Sequence, residues 1–187
     1  EVEDWPREIR GILSNPLIEF KGSQVPGRGT EEMKTNDVKG SFLPGEVGVG
    51  VELGRPGLGA YFKDVEVVAM ALMGANIGYE LAEENPVTHF MSDKSTGKLR
   101  DDVLGEKATS AIIEGKCRLE KLPLALKALQ KAADEVDTVF TVEVITTVTP
   151  DGEVPIKAIL EKEGFWYSIN SKNNLGLGLP AFKFYDD

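Results

Sequence analysis

The residues that come nearest to a reactive centre are Gly115, Lys116, Cys117 and Arg118, where one thiol stands between two basic side chains. The spacing of apolar residues puts this run between a strand ending near Glu114 and a helix beginning near Leu122. Positive neighbours and a nearby helix N-terminus both favour the thiolate, the form in which cysteine acts as a nucleophile. The competing reading is a small buried side chain whose basic neighbours point to water, the common fate of a free cysteine. Lys116 and Arg118, beside Gly115, would equally suit an anion.

His89 is the second candidate, a lone histidine in the loop at residues 86–93 with Phe90, Met91, Asp93 and Lys94 close by. Histidine titrates near neutrality without help and so suits proton transfer, although with no partner in view a surface or capping role competes. Three glycine-rich segments offer backbone amides to an anion: residues 22–29 with Arg28, residues 54–59 with Arg55, and residues 173–178 after Lys172. None has the spacing of a P-loop. Gly176 and Gly178 partly imitate a dinucleotide-binding turn, but Leu179 and Pro180 stand where a helix would have to start. The adjacent carboxylates Glu31 and Glu32, Glu83 and Glu84, and Asp101 and Asp102 read as solvated charge, and no metal site is assigned.

The elements that must position these groups follow from apolar periodicity. Asp4 and Pro6 open a short helix lined by Ile9, Ile12 and Leu13, and residues 17–21 read as a brief strand. Residues 22–44 are loop-like, a length that in a compact domain usually marks function, an interface or disorder. Residues 46–53 alternate, with Val47, Val49, Val51 and Leu53 on one face and Gly48, Gly50 and Glu52 on the other. Two glycines on one face mark a bulge or a close approach by another backbone or a ligand. Asp64 is the expected cap of a helix over residues 64–84, with Gly74, Gly78 and Ala82 as a small-residue ridge. A buried strand over residues 65–73 is the alternative.

In the second half, residues 108–113 read as a strand and Pro123 opens a helix with Leu122, Leu126, Leu129, Ala133 and Val136 on one face. Residues 138–148 form a long strand that turns at Pro150, Asp151 and Gly152 into a second strand over residues 153–160, a β-hairpin. A further strand at residues 165–169 and a docked aromatic tail at Phe182, Phe184 and Tyr185 complete the chain. The expected architecture is one α+β domain over residues 1–187, with a largely antiparallel sheet and helices packed on one face.

Composition sets the limits on function. With 41% hydrophobic and 28% charged residues among 187, the chain can bury a core. A formal charge of −10 argues against nucleic acid and anionic lipid as partners, and no apolar run reaches a membrane-spanning length. A single cysteine excludes an internal disulfide, and the single histidine excludes a typical zinc set. The start lacks the pattern of a signal peptide, which points to the cytoplasm, while a first residue other than methionine leaves an earlier export signal open. Few glutamines and many Glu and Lys residues also suit a heat-adapted protein.

Two functions are expected from these features. The first is a homo-oligomer that binds, and in an enzymatic version transforms, a small anionic metabolite, with Lys116, Arg118 and Arg55 supplying charge and Cys117 or His89 reactivity. The second is a self-assembling structural protein without catalysis. No cofactor is implied by the sequence.

Overall fold

The computed structural model describes residues 4–15, 41–55, 57–74 and 76–168. Along them run helix α1 (Glu8–Ser14), strands β1 (Glu46–Leu53) and β2 (Ala60–Tyr61), helix α2 (Phe62–Met73), strand β3 (Glu80–Leu81) and the short helix α3 (Pro86–His89). Strands β4 (Met91–Asp93), β5 (Lys98–Leu99), β6 (Lys107–Ala108) and β7 (Ala111–Arg118) come next, followed by helix α4 (Leu122–Ala133), strand β8 (Phe140–Ile145) and helix α5 (Pro155–Glu163). The α+β class expected from the sequence is the one found. Its centre is a four-stranded antiparallel sheet in the order β3, β7, β1, β8, with helices against it.

Strand β1 is the middle of that sheet. Val47, Val49, Val51 and Leu53 alternate along one face and are fully buried in a single apolar cluster with Phe62, Val65, Val68 and Leu72 of α2 and Leu122 and Leu129 of α4. Such a row of branched side chains fits a pleated, packed surface, and each fully buried one contributes roughly 1.5–3 kcal/mol relative to exposure. The alternate face of β1 is buried as well, Glu52 included, since β1 is flanked by β7 on one side and β8 on the other.

Several elements differ from the sequence-based expectation. Helix α2 begins at Phe62, with Asp64 inside its first turn and not at the cap, and it stops at Met73 with Gly74 as an extended C-cap. The chain then turns through Asn76 (φ 55°) and Gly78 (φ 67°) into β3, so Gly74, Gly78 and Ala82 form no helical ridge. Strand β7 does not end at Glu114 but continues through Cys117 to Arg118. The second arm of the expected hairpin is helix α5, because Pro155 stands in its first turn, Ile156 and Leu160 recur one turn apart on its buried side, and Gly164 (φ 75°) ends it. Residues 165–168 are not a strand. The expected strand at 17–21, most of the 22–44 loop and the aromatic tail lie outside the described residues.

The turn before α5 is nevertheless where the sequence puts it. Gly152 has φ 86°, its N–H donates to the Thr149 carbonyl at 2.9 Å, and the Thr149 N–H donates to the Glu153 carbonyl. A β-branched residue is strained at that φ even though space for a Cβ is open. Gly152→Val is expected to cost about 1 kcal/mol or more, read as a lower urea midpoint, with Gly152→Asn milder.

Candidate functional site

The antiparallel register decides which side chains share a face. Opposite β1, strand β7 sets Arg118 across from Glu46, Lys116 from Gly48, Glu114 from Gly50 and Ile112 from Glu52. On the other side, β8 sets Ile145 across from Gly48, Glu143 from Gly50 and Thr141 from Glu52. Residues directly opposite in a ladder project to the same side. The second face of the sheet is therefore a polar layer floored by Gly48 and Gly50, and Glu80 of β3, opposite Lys116, extends it.

Each polar group in this layer has a defined setting. Glu114, 2% exposed, accepts a hydrogen bond at Oε2 from Asn85 Nδ2 at 2.7 Å, and Asn85 Oδ1 in turn caps α3 by accepting from the Val87 N–H at 2.8 Å. The Glu143 carboxylate folds over Gly50, where an added Cβ would stand 3.5 Å from its Oε2, and it also accepts from Thr141 Oγ1 at 3.1 Å. Glu52, 6% exposed, pairs with Arg55 across 3.0 Å. Lys116 Nζ reaches Glu46 Oε2 at 3.0 Å and the Ser41 carbonyl at 3.1 Å. Burial pushes the Glu46 carboxyl up, but the Leu43 N–H, the Lys116 ammonium and the Arg118 charge outweigh it and hold it below the usual carboxylate range.

Cys117 is on the other face. It is buried within β7 opposite Val47, on the apolar side with Tyr79, while Lys116 and Arg118 project away from it. The loop on which its nucleophile reading rested is thus replaced by a sheet interior, although α4 does begin at Leu122 as expected. Burial, aided by the Glu120 charge, raises the thiol to about 11 from an ordinary value of 9.0. Tyr79, also buried, lies against Gly115 and donates to the Val49 carbonyl at 2.6 Å. Burial pushes its phenol up strongly, with the Glu114 and Cys117 charges adding to the effect.

The remaining candidates are scattered. His89 is exposed at the end of α3, with Nε2 2.7 Å from the Glu83 carbonyl, and Lys94 pairs with the Glu83 carboxylate. Arg118 is two-thirds exposed and 3.8 Å from Glu120. Arg55 follows the C-terminal end of β1 whereas Lys116 and Arg118 stand by its N-terminal end, roughly 20 Å away at the rise of a strand. In the loop around Arg55, Gly54 N–H donates to the Val139 carbonyl and Gly59 N–H to the Gly54 carbonyl, so those two amides are engaged within the chain. Lys172, Gly176 and Gly178 lie outside the described residues. Among the described residues, no two of the sequence-selected groups meet except the neighbours Lys116 and Arg118. Among the described residues, no set of three or more acidic, His or Cys side chains is arranged to hold a metal ion, and no helix is long and apolar enough to cross a membrane.

No family model, curated protein or solved structure matches this chain. Glu114, Glu143 and Asn85 were not singled out from sequence. The available signal was the odd and even alternation of β7, in which Glu114 and Lys116 fall on the same side as each other and opposite Cys117.

Two outcomes follow for this region. Alkylation of Cys117 should be slow near neutral pH in the folded protein and fast in denaturant. Because its folded pKa lies above the unfolded one, the unfolded chain loses that proton first, so the contribution of Cys117 to stability is constant below about 9 and falls as pH rises toward about 11. A denaturant midpoint followed from pH 7 to 10.5 checks the sign. Asn85→Ala removes both the α3 cap and the donor to buried Glu114 and is expected to destabilise the domain by about 2–4 kcal/mol, measured by urea unfolding.

Proposed function

We propose that this chain works as a self-assembling protein, a homo-oligomer whose function is association between copies and not chemistry at a nucleophile. The observation that carries this reading is the dispersal of the reactive and cationic groups. Cys117 faces the apolar core, His89 is hydrogen-bonded at the far end of α3, and Arg55 and Lys116 are each engaged by a carboxylate of their own layer. Catalysis requires groups held in mutual geometry, and oriented pairs of that kind are what supply large rate effects. An acidic protein of charge −10 has little attraction for nucleic acid, which leaves protein surfaces as the natural partner class.

A second reading keeps one specific support. Arg118 is loosely held by Glu120 and lies beside Gly45, the φ 84° residue of the turn that leads into β1, so its guanidinium is available to a small anion such as phosphate or a carboxylate. Sedimentation velocity over 1–200 µM separates the two. Assembly predicts a particle of more than one chain whose mass is indifferent to phosphate. The anion reading predicts saturable heat on titration with inorganic phosphate, abolished in Arg118→Ala. A strictly monomeric species across that range removes the assembly reading.

A further inference from the structure

Strand β8 ends the sheet. Among the described residues no strand pairs with its outer side, and no loop backbone hydrogen bond reaches residues 140–145. In an antiparallel ladder the N–H and C=O of one residue point to the same neighbour, and those of the next residue point away. The Gly54 N–H donates to the Val139 carbonyl, in register with β1 and β8, so the odd residues 139, 141, 143 and 145 turn their main chain toward β1. The main-chain groups of Phe140, Val142 and Val144 consequently face outward.

Among the described residues this edge lacks the usual protection. Its sequence, Phe-Thr-Val-Glu-Val-Ile, contains no proline and no lysine, and it is built from residues that favour strands, whereas natural edges are commonly blunted by charge, proline or a bulge. Its one charge, Glu143, lies over Gly50. Pairing with a second copy about a two-fold axis normal to the sheet keeps the apolar faces continuous only if opposed residue numbers have the same parity.

We propose that β8 pairs antiparallel with β8 of a second copy, with Val142 on the two-fold axis, to make a continuous eight-stranded sheet. In that register Val142 opposes the partner's Val142, Phe140 opposes the partner's Val144, and Thr141 opposes the partner's Glu143. All the outward main-chain groups of the strand are then engaged, in about six hydrogen bonds. Apolar residues meet apolar ones, and the polar positions 141 and 143 meet each other. Moving the axis to Glu143 would set two carboxylates against each other and forfeit main-chain bonds. The glycine-floored polar layer continues across the junction, and the partner's Thr141 joins it beside Glu143. This inference rests on the assembly reading and names the surface that executes it.

Thr141 is exposed but donates to Glu143 on its own strand and stands opposite Glu52, so association of each variant is compared at matched subunit stability, read from its urea midpoint. Thr141→Glu sets like charges opposite the partner's Glu143 at two symmetric places and is expected to weaken association about fivefold or more, while Thr141→Lys strengthens it by a similar factor. Thr141→Cys and Glu143→Cys proteins, mixed and mildly oxidised, should give a cross-linked dimer several-fold more abundant than either alone. A non-hydrogen-bonded pair of this kind lies about 4.5 Å apart at Cα, within disulfide range. In the wild-type protein, amide exchange at Phe140, Val142 and Val144 should slow as concentration rises. If the wild type is oligomeric but the mixed cross-link does not exceed the single ones and the two Thr141 variants behave alike, the β8 pairing is wrong and the assembly reading stands. If the wild type is monomeric, both fall. Protection of those amides that is independent of concentration means that the edge is covered within one chain and also overturns the pairing.

Discussion

The structure depends on one constraint: β1 is buried on both faces, and only one of those faces is apolar. A central strand between β7 and β8 has no water at its flanks, so every side chain on its second face must be small or have a partner. Gly48 and Gly50 meet the first condition and Glu52 the second, through Arg55. Because position 50 carries no Cβ, the Glu143 carboxylate can lie over the strand while Glu114 occupies the other side beneath Asn85. Gly50 is thus a spacer for the Glu143 carboxylate, and the close approach expected at that position is made by a side chain from within the sheet.

A second close approach lies on β7. A Cβ at Gly115 would stand against the Glu80 carbonyl and 2.6 Å from the Tyr79 ring, so glycine is what lets β3 and Tyr79 close over the strand at this point. The phenol crosses Gly115 and ends on the Val49 carbonyl, tying the chain after α2 to the central strand. Cys117, two residues on, shares this apolar side, which is why its thiol is pushed up and not down. Burial costs a charged thiolate far more than the basic residues on the opposite face recover, because Lys116 and Arg118 project away from it.

What could be read from the sequence was whatever depends on near neighbours. The alternation of β1, the Leu122, Leu126 and Leu129 stripe of α4 and the positive φ of Gly152 all follow from local periodicity or turn chemistry and are present, although Ala132 is buried in place of the expected Ala133, and Val136 lies beyond the helix. The errors have a common cause. Glu114 and Lys116 read as the end of a strand because polar residues usually mark its exit, yet they are partnered by Asn85 and Glu46, which are distant in sequence. Ile77 and Leu81 continue the period of α2 by coincidence, although Asn76 and Gly78 have already turned the chain through positive φ. For residues 153–160, Pro155 was compatible with either state, and packing of Ile156 and Leu160 settled it as helix. The candidate site was less legible still, since a sheet face combines residues from strands about 30 to 100 positions apart and register cannot be computed from composition.

The charge of the chain bears on any association between copies. At −10 per subunit, two chains repel at long range, but at physiological ionic strength that repulsion decays over about 8 Å and acts mainly on encounter. What decides whether a pair persists is therefore the short-range balance at the contact, where a strand edge offers oriented main-chain donors and acceptors of no net charge. A surface that must bring acidic subunits together is better built from backbone than from side-chain ion pairs, since an exposed ion pair returns at most about 1 kcal/mol and weakens with salt. Glu143, the single charge in β8, lies over Gly50, so the strand carries one carboxylate at its edge position and no second charge to oppose it.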